Sequence, residues 1–316
     1  MKERAMEERQ AGDRATIGVV VPTHDRPQLL RETLRAILEQ DVSAPLDIVV
    51  VFDRSEPDRT LEELSTDDRR VRVVANTRTP GLAGARNSGI LAVDTDWVAF
   101  CDDDDVWAPQ RLRAQLERSE RDPEAVVLTT GIRVLHEGST IDRLAGKDRI
   151  PLADLTRSRM AMLHSSTLLL RRSALLGPLG LVDEAIPGSQ NEDWDLLLRA
   201  AAIGDLAHID EPLVLVRWGR TSHFSRRFET LVDSLEWMLE RHPGIAQDDR
   251  GAARVFGQLA FGTAALGRRG PALRWTARAV RRRWTEPRAY IALAVATRLL
   301  SPTWVLSVLN RRGRGL

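Results

Sequence analysis

The stretch WVAFCDDDD, residues 97–105, joins an apolar run directly to four consecutive aspartates. A short, continuous apolar run is typical of a strand that is buried on both faces, as in a parallel sheet. The aspartates begin a polar loop where that strand ends. Because neighbouring carboxylates repel one another, we expect a divalent cation with oxygen ligands, Mn²⁺ or Mg²⁺, to accompany them.

Two earlier apolar runs have the same form. Residues 17–21 (IGVVV) lead into the loop Pro22–Asp25, and residues 47–52 (DIVVVF) lead into Asp53. Between them, apolar residues over 29–38 recur at helical spacing. This alternation of strands and helices predicts an α/β fold with a mostly parallel, doubly wound sheet. In such sheets the ligand lies at the carboxyl ends of the strands, where all three polar loops are expected to converge.

The rest of the chain divides into a mixed part and a helical part. We expect a charged, flexible leader over residues 1–15, the α/β domain over 16–223, and a helical C-terminal region over 224–316. Within the domain, the patterns predict strands at 71–74, 126–130, 166–170 and 213–218, and helices at 83–93, 110–121 and 193–202. Beyond it they predict helices at about 226–241, 250–267, 271–283 and 287–309.

The net charge of +1 is the sum of two parts of the chain with opposite net charge. Residues 224–316 carry 17 arginines and 7 acidic residues, so the remainder of the chain is net negative. Two interpretations of the basic region stay open: a helical bundle that packs on the α/β domain, or a surface that meets anionic lipid. The apolar stretch 289–309 is interrupted by Arg298 and Pro302, which favours a bundle or an interfacial helix over a membrane span.

The small overall charge also excludes a uniformly basic, nucleic-acid-coating protein. A single cysteine, Cys101, rules out an intrachain disulfide and a cysteine-rich zinc site. Residues 1–15 contain no apolar run, so no secretory signal is expected. These features predict a cytoplasmic protein, with contact at the inner face of the membrane as an extension of that prediction.

Four motifs occur in order along the α/β domain, and together they resemble the family 2 glycosyltransferases of the GT-A fold over roughly residues 16–220. They are VVVPTHDR (19–26), DIVVVFDRS (47–55), GLAGARNSG (81–89) and FCDDDDVWAP (100–109). A fifth motif, NEDWDLLLR (191–199), resembles the Glu-Asp pair that precedes an apolar helix in that family. Phe52 and Arg54 depart from the family pattern Asp-Asp-Gly-Ser, which also bears on the choice of nucleotide.

The resemblance implies an inverting, metal-dependent enzyme that moves a sugar from a nucleotide-diphosphate sugar to an acceptor hydroxyl. It implies that Asp193 is the general base. The expected nucleotide contacts are Pro22, Thr23, His24, Asp25, Asp53, Arg86, Asp102 and Asp103. The expected metal ligands are Asp104 and Asp102, which would point the same way along an extended segment. Contacts with acceptor or diphosphate are expected from Glu192, His164, Trp218 and His223.

Arg86 has a second interpretation, in which it fixes its helix against the acidic loop. A UDP-sugar is the first candidate donor. The acceptor is expected to be a hydroxyl, with a lipid-linked one in cell-surface polysaccharide or glycolipid synthesis as the extended prediction; no nucleic-acid partner is expected, and the oligomeric state stays open.

Two other functions remain as alternatives. A sugar nucleotidyltransferase usually has a glycine-rich phosphate loop after the first strand, and residues 22–26 contain no glycine. A non-catalytic nucleotide-sugar-binding protein is suggested only by Phe52 and Arg54, and the four aspartates and Asp193 count against it. No Gly-x-Gly-x-x-Gly follows the first strand, which excludes a dinucleotide-dependent enzyme.

Overall fold

The computed structural model describes residues 15–218 and 228–311, which form two units. The first unit holds residues 15–151, 161–184 and 199–217; the second holds 152–160, 185–198, 218 and 228–311. The predicted domain boundary at residue 223 and nearly all of the predicted leader lie outside the described residues.

A ten-stranded mixed sheet forms the first unit. Its strands are, in chain order, β1 (Ile17–Thr23), β2 (Leu46–Phe52), β3 (Arg69–Ala75), β4 (Trp97–Phe100), β5 (Val106–Trp107), β6 (Val127–His136), β7 (Ser139–Arg143), β8 (Arg149–Ile150), β9 (Leu169–Arg171) and β10 (Leu206–Arg217). The order in the sheet is β3-β2-β1-β4-β9-β6-β10-β5, with β7 beside β6 and β8 beside β10. The first four are parallel, as are β6 and β10, whereas β9 runs antiparallel to both of its neighbours.

Twelve α-helices accompany these strands in the described residues. They are α1 (Pro27–Leu38), α2 (Leu82–Ala92), α3 (Arg111–Arg121), α4 (Leu152–Arg157), α5 (Arg172–Leu175), α6 (Glu192–Ile203), α7 (Phe228–Arg241), α8 (Gly244–Gln247), α9 (Asp249–Ala265), α10 (Arg269–Arg282), α11 (Pro287–Ala296) and α12 (Pro302–Arg311). The α/β fold with a mostly parallel sheet and a helical C-terminal region is therefore confirmed.

Burial explains why the first strands lack an alternating pattern. All seven residues of β1 are buried, so each face of the strand meets apolar neighbours. Helix α2 packs against β1 at very short range, since a Cβ added to Gly89 would lie 2.3 Å from Val20. Helix α1 connects β1 to β2. Pro27 occupies its first turn, where the fixed φ of proline suits the helix.

The order of the central strands brings three loops to one edge. Because β2, β1 and β4 are neighbours and parallel, their carboxyl ends lie at the same edge of the sheet. Thr23 is the last residue of β1, and Asp53 and Asp102 follow β2 and β4. The predicted strand 166–170 differs from the structure: residues 165–167 form a 3₁₀ turn, and β9 begins only at Leu169. That turn carries hydroxyl groups toward the loop after β4.

The second unit is helical around α9, which is buried along most of its length. Its packing with the following helices uses small side chains, among them Ala260, Ala264, Ala272 and Ala292. The prediction of one helix over 287–309 is wrong, because α11 ends at Ala296 and α12 starts at Pro302. The chain reverses between them through Arg298, whose φ of 64° no α-helix accommodates. Within the described ranges, no helix is long and apolar enough to cross a bilayer.

Candidate active site

The four aspartates form a turn rather than an extended segment. The amide of Asp105 donates to the carbonyl oxygen of Asp102 at 3.2 Å, which closes the turn between residues three apart. The expectation that Asp102 and Asp104 point the same way along a strand is therefore wrong in its geometry. The turn instead divides the carboxylates between two sets of partners.

Asp102, Asp105 and His164 form the first set. One ligand atom from each of these side chains lies within 4.8 Å of the other two. The 3₁₀ turn at residues 165–167 supports them, since the hydroxyl of Ser165 donates to Asp102 at 3.1 Å and that of Ser166 donates to Asp105 at 2.5 Å. Two carboxylates and an imidazole nitrogen thus converge, as the ligands of a divalent metal do.

Arg86 supplies positive charge to this group from the buried side. Its side chain on α2 is almost completely buried, lies over the ring of Phe100, and donates from Nη2 to Asp102 at 2.7 Å. Burial acts to raise the pKa of Asp102, but the charges of Arg86 and His164 and the hydrogen bonds to the carboxylate outweigh it, so the pKa is lowered. The pairing is the contact expected if Arg86 holds its helix against the acidic loop; a contact with nucleotide stays a prediction.

Asp103 and Asp104 form the second set, which faces the loop after β1. The Nη1 atom of Arg26 donates to Asp103 at 3.1 Å and to Asp104 at 2.6 Å. Asp103 also accepts from the hydroxyl of Thr23 at 2.8 Å and from the amide of His24 at 3.4 Å. The predicted nucleotide loop and the acidic turn are therefore joined by hydrogen bonds.

The acidic turn carries more negative charge than its arginines neutralise. Burial, and then the charges of Asp105 and Asp102, raise the pKa of Asp104 to about 7, although Arg26 acts in the opposite direction. Burial likewise raises the pKa of Asp103. A divalent cation would relieve this repulsion, and carboxylate oxygens with one imidazole nitrogen suit Mn²⁺, while the oxygens alone suit Mg²⁺.

Asp53 is buried at the end of β2 and is held by the protein on several sides. Its carboxylate accepts from the side-chain amide of Asn76 at 2.8 Å, from the backbone of Gly81 at 3.1 Å and from Arg54 at 2.9 Å. Burial acts to raise the pKa of Asp53, but these hydrogen bonds and the Arg54 charge lower it overall. Arg54 has a φ of 53°, so the departure from the family's glycine keeps a glycine-like backbone at that position.

Asp193 lies in the second unit, in the first turn of α6. Arg159, which follows α4, binds both oxygens of its carboxylate through Nη2 at 3.0 and 2.9 Å, and the amide of Trp194 donates to Oδ1 at 2.8 Å. The indole nitrogen of Trp194 in turn donates to the carbonyl of Leu155 at 3.0 Å. The carboxylate therefore has a fixed orientation, and the positive end of the helix favours its charge.

The remaining predicted residues are distributed as follows. Pro22 is buried in β1, and Asp25 is exposed, with a φ of 53°. Glu192 is buried at the first position of α6. Trp218 is half-buried at the edge of the described residues, and His223 lies outside them.

Sequence reasoning missed three charged residues near these groups: Asp105, Arg26 and Arg159. Asp105 could have been suggested by the turn preference of consecutive aspartates, which favours contact between residues three apart. Arg26 stands inside the first motif, next to the predicted nucleotide loop. Nothing in the sequence points to Arg159, because its pairing with Asp193 joins residues that are far apart in the chain.

Comparisons with known proteins identify the family of the chain and its fold. The model of "Glycosyl transferase family 2" matches residues 18–176, half of the chain. The amylovoran biosynthesis glycosyltransferase AmsB of Erwinia amylovora is 23% identical over 246 residues, which cover 74% of this chain and 80% of that protein.

Two solved structures share the fold. TarS of S. aureus, residues 1–349 in complex with UDP-GlcNAc, has a TM-score of 0.59 at 16% identity, covering 95% of this chain and 92% of the other. The mannosyltransferase PcManGT of Pyrobaculum calidifontis, in complex with GDP-Man and Mn²⁺, has a TM-score of 0.57 at 20% identity, covering 95% and 85%. With the acidic turn, the sheet order and the family match in agreement, the chain belongs to glycosyl transferase family 2 and is a glycosyltransferase of the GT-A fold.

Proposed function

We propose that this glycosyltransferase is inverting and metal-dependent, and that it moves a sugar from a nucleotide-diphosphate sugar to an acceptor hydroxyl. The observation that carries the proposal is the convergence of Asp102, Asp105 and His164 within 4.8 Å. Asp102 and Asp105 follow the carboxyl end of β4, and His164 precedes the antiparallel strand β9 at the same edge of the sheet, where ligands of such folds bind. Burial, and then the charges of Asp105 and Asp102, raise the pKa of Asp104 to about 7, so a bound cation would favour its ionised form.

The proposed ion is Mn²⁺ or Mg²⁺. Asp102 would hold it together with Asp105 and His164, or together with Asp104 as the sequence predicts. When bound, the ion neutralises the charge that develops on the departing diphosphate. Mn²⁺ accompanies GDP-Man in the PcManGT structure, which supports this choice by analogy.

Asp193 is the proposed general base. A sugar hydroxyl is a weak nucleophile until its proton is accepted, and a carboxylate oxygen can accept it. Arg159 and the amide of Trp194 hold the carboxylate in one orientation, and the Arg159 charge favours its ionised form, the form that accepts a proton. A single base and direct attack on the anomeric carbon correspond to one displacement, hence to inversion.

Asp53 and the loop Pro22–Asp25 are the proposed nucleotide contacts, with UDP as the first candidate. TarS contains UDP-GlcNAc and PcManGT contains GDP-Man, so the base is a question for experiment. The name of AmsB supports a role in bacterial polysaccharide synthesis. A lipid-linked acceptor, and work at the cytoplasmic face of the membrane, are parts of the same proposal.

A thermal-shift screen of UDP-, GDP- and dTDP-sugars, with and without Mn²⁺, tests the proposal. Sugars of one nucleotide should raise the melting temperature, chiefly when Mn²⁺ is present, and their donors should then be hydrolysed or transferred. Asp102→Asn should remove the metal-dependent shift. Asp142→Asn, at an exposed aspartate paired with Arg133, should leave it intact. Absence of a shift with every nucleotide would contradict the proposal and favour a non-catalytic role.

A further inference from the structure

Among the described side chains, the exposed charged residues of the last three helices are arginines, of which Arg282 pairs with Asp249 of α9. Residues 269–311 contain nine arginines and one acidic residue, Glu286. Glu286 is buried; it accepts from the backbone of Arg288 at 3.2 Å and from its guanidinium at 2.8 Å. On α10, Arg274, Arg278 and Arg281 are exposed and recur at a spacing that places them on one face. The charge of this surface therefore complements an anionic partner.

The same helices have large apolar side chains on the outside and small ones inside. Alanines form most of the core between α9, α10 and α11. In contrast, the exposed fraction is 74% for Trp284, 79% for Leu299 and 54% for Trp304. These tryptophans and Tyr290 are the exposed aromatic residues among the described side chains. A bundle surrounded by water shows the reverse pattern, whereas Trp and Tyr beside arginine are typical of a membrane interface.

The turn between α11 and α12 caps α11 with a residue whose backbone conformation is unfavourable for a side chain. The amide of Leu299 donates to the carbonyl of Ala294, and that of Arg298 donates to Val295, both at 2.9 Å. This is the Schellman arrangement, in which the residue with positive φ is usually glycine. Here it is Arg298, with a φ of 64°, and both Arg298 and Leu299 are exposed. An unfavourable backbone is thus retained where it presents a cation beside Leu299, the most exposed leucine among the described side chains.

We propose that α10, α11, α12 and the turn 297–301 form a docking surface for an anionic lipid bilayer. Trp284, Leu299 and Trp304 enter the interface, and the exposed arginines contact lipid phosphates. Contact is peripheral, since no helix in the described part of the chain could span a membrane. The proposal extends the membrane location proposed above by naming the surface. It requires neither the metal nor Asp193, so it can fail while the catalytic proposal stands.

Sedimentation of the full chain with lipid vesicles tests the proposal. We expect binding to vesicles of phosphatidylcholine with roughly one-third phosphatidylglycerol, weak binding to phosphatidylcholine alone, and a loss of binding as salt is added. Arg298→Gly should lower the partition coefficient about fivefold, the effect of one arginine near the surface. Glycine suits this turn better than arginine, so the melting temperature of Arg298→Gly should not fall. A loss of vesicle binding by this variant therefore cannot be a consequence of unfolding.

Leu299→Ser should lower the partition coefficient about tenfold. Leu91→Ser is the matched control, an exposed leucine of the first unit that should bind vesicles as the unmodified chain does. Equal binding to neutral and anionic vesicles, or unchanged binding of both C-terminal variants, would overturn the proposal. Retention on polyuridylate without vesicle binding would also overturn it, because the surface would then serve nucleic acid.

Discussion

Replacing Arg86 with glutamine is expected to destabilise the first unit and to make its stability depend more strongly on Mn²⁺. The substitution removes the guanidinium that donates to Asp102 at 2.7 Å. Asp102 would then stand among three other carboxylates with less positive charge beside it. If the acidic turn is a metal site, a divalent cation can replace part of the missing charge.

The size of the effect follows from the burial of the pair. Loss of one partner from a buried ion pair costs about 3–5 kcal/mol. The side chain of Arg86 is 1% exposed and that of Asp102 is 22% exposed, so we expect the lower end of that range. A loss of about 3 kcal/mol corresponds to a fall in melting temperature of roughly 6–12 °C for a unit of about 150–250 residues, the range to which the first unit belongs. Mn²⁺ at about 100 times its Kd would return about 2.7 kcal/mol.

Thermal unfolding over a range of Mn²⁺ concentrations is the assay, with Arg72→Gln as the matched control. Arg72, on β3, binds both oxygens of Asp47, on β2. Asp47 is 21% exposed, similar to Asp102, whereas Arg72 is 24% exposed, so its loss should cost less than that of Arg86. Both variants should unfold at lower temperature without metal. Mn²⁺ should then restore more stability to Arg86→Gln than to Arg72→Gln, because the guanidinium of Arg86 competes with the cation for Asp102. Equal gains in the two variants would refute the reasoning.

Two further predictions concern Thr79, which precedes α2 and contacts both Glu184 and Gly84. Burial acts to raise the pKa of Glu184, but hydrogen bonds from Asn87 and Thr79 outweigh it and bring the pKa to about 2, against 4.5 for an ordinary glutamate. The stabilisation is therefore complete above about pH 4.5 and is lost as the pH falls toward 2. Glu184→Gln should cost about 2 kcal/mol at pH 7 in urea unfolding, and the cost should shrink between pH 4 and 3; a constant difference would contradict the assignment. Gly84→Ala should cost about 2–3 kcal/mol, because its Cβ would lie 1.9 Å from the carbonyl oxygen of Thr79, whereas Gly204→Ala, which meets open space, should unfold as the unmodified chain does.

The sheet was predictable because its signals are local. The apolar runs that became β1, β2 and β4 are buried on both faces, and a run without alternation indicates such burial directly. Their parallel order followed from the helices between them. The convergence of the loops that hold Thr23, Asp53 and Asp102 was therefore accessible from the sequence.

The directions of the carboxylates in the acidic turn could not be predicted from the sequence in the same way. They depend on the hydrogen bond that closes the turn at Asp102, and on hydroxyl groups and an imidazole from residues 164–166. The pairing of Arg159 with Asp193 is likewise a tertiary contact. These side chains meet only after the chain has folded, so no local pattern indicates them.

The break between α11 and α12 shows a different difficulty. Helices usually end at a glycine with positive φ, and the chain has Arg298 in that place. The sequence pattern therefore predicts a helix that continues through Arg298, although Pro302 follows. The end of α11 was not predicted because arginine, the residue at the turn, ordinarily favours a helix.

The most direct test of the central claim is an NMR measurement of the transfer reaction with the donor that the thermal-shift screen selects. We predict a glycoside whose anomeric configuration is opposite to that of the donor, formed only with Mn²⁺ or Mg²⁺. Asp193→Asn should bind the nucleotide-sugar as before but form no product. Retained configuration, transfer without a divalent ion, or transfer by Asp193→Asn at the unmodified rate would contradict the claim.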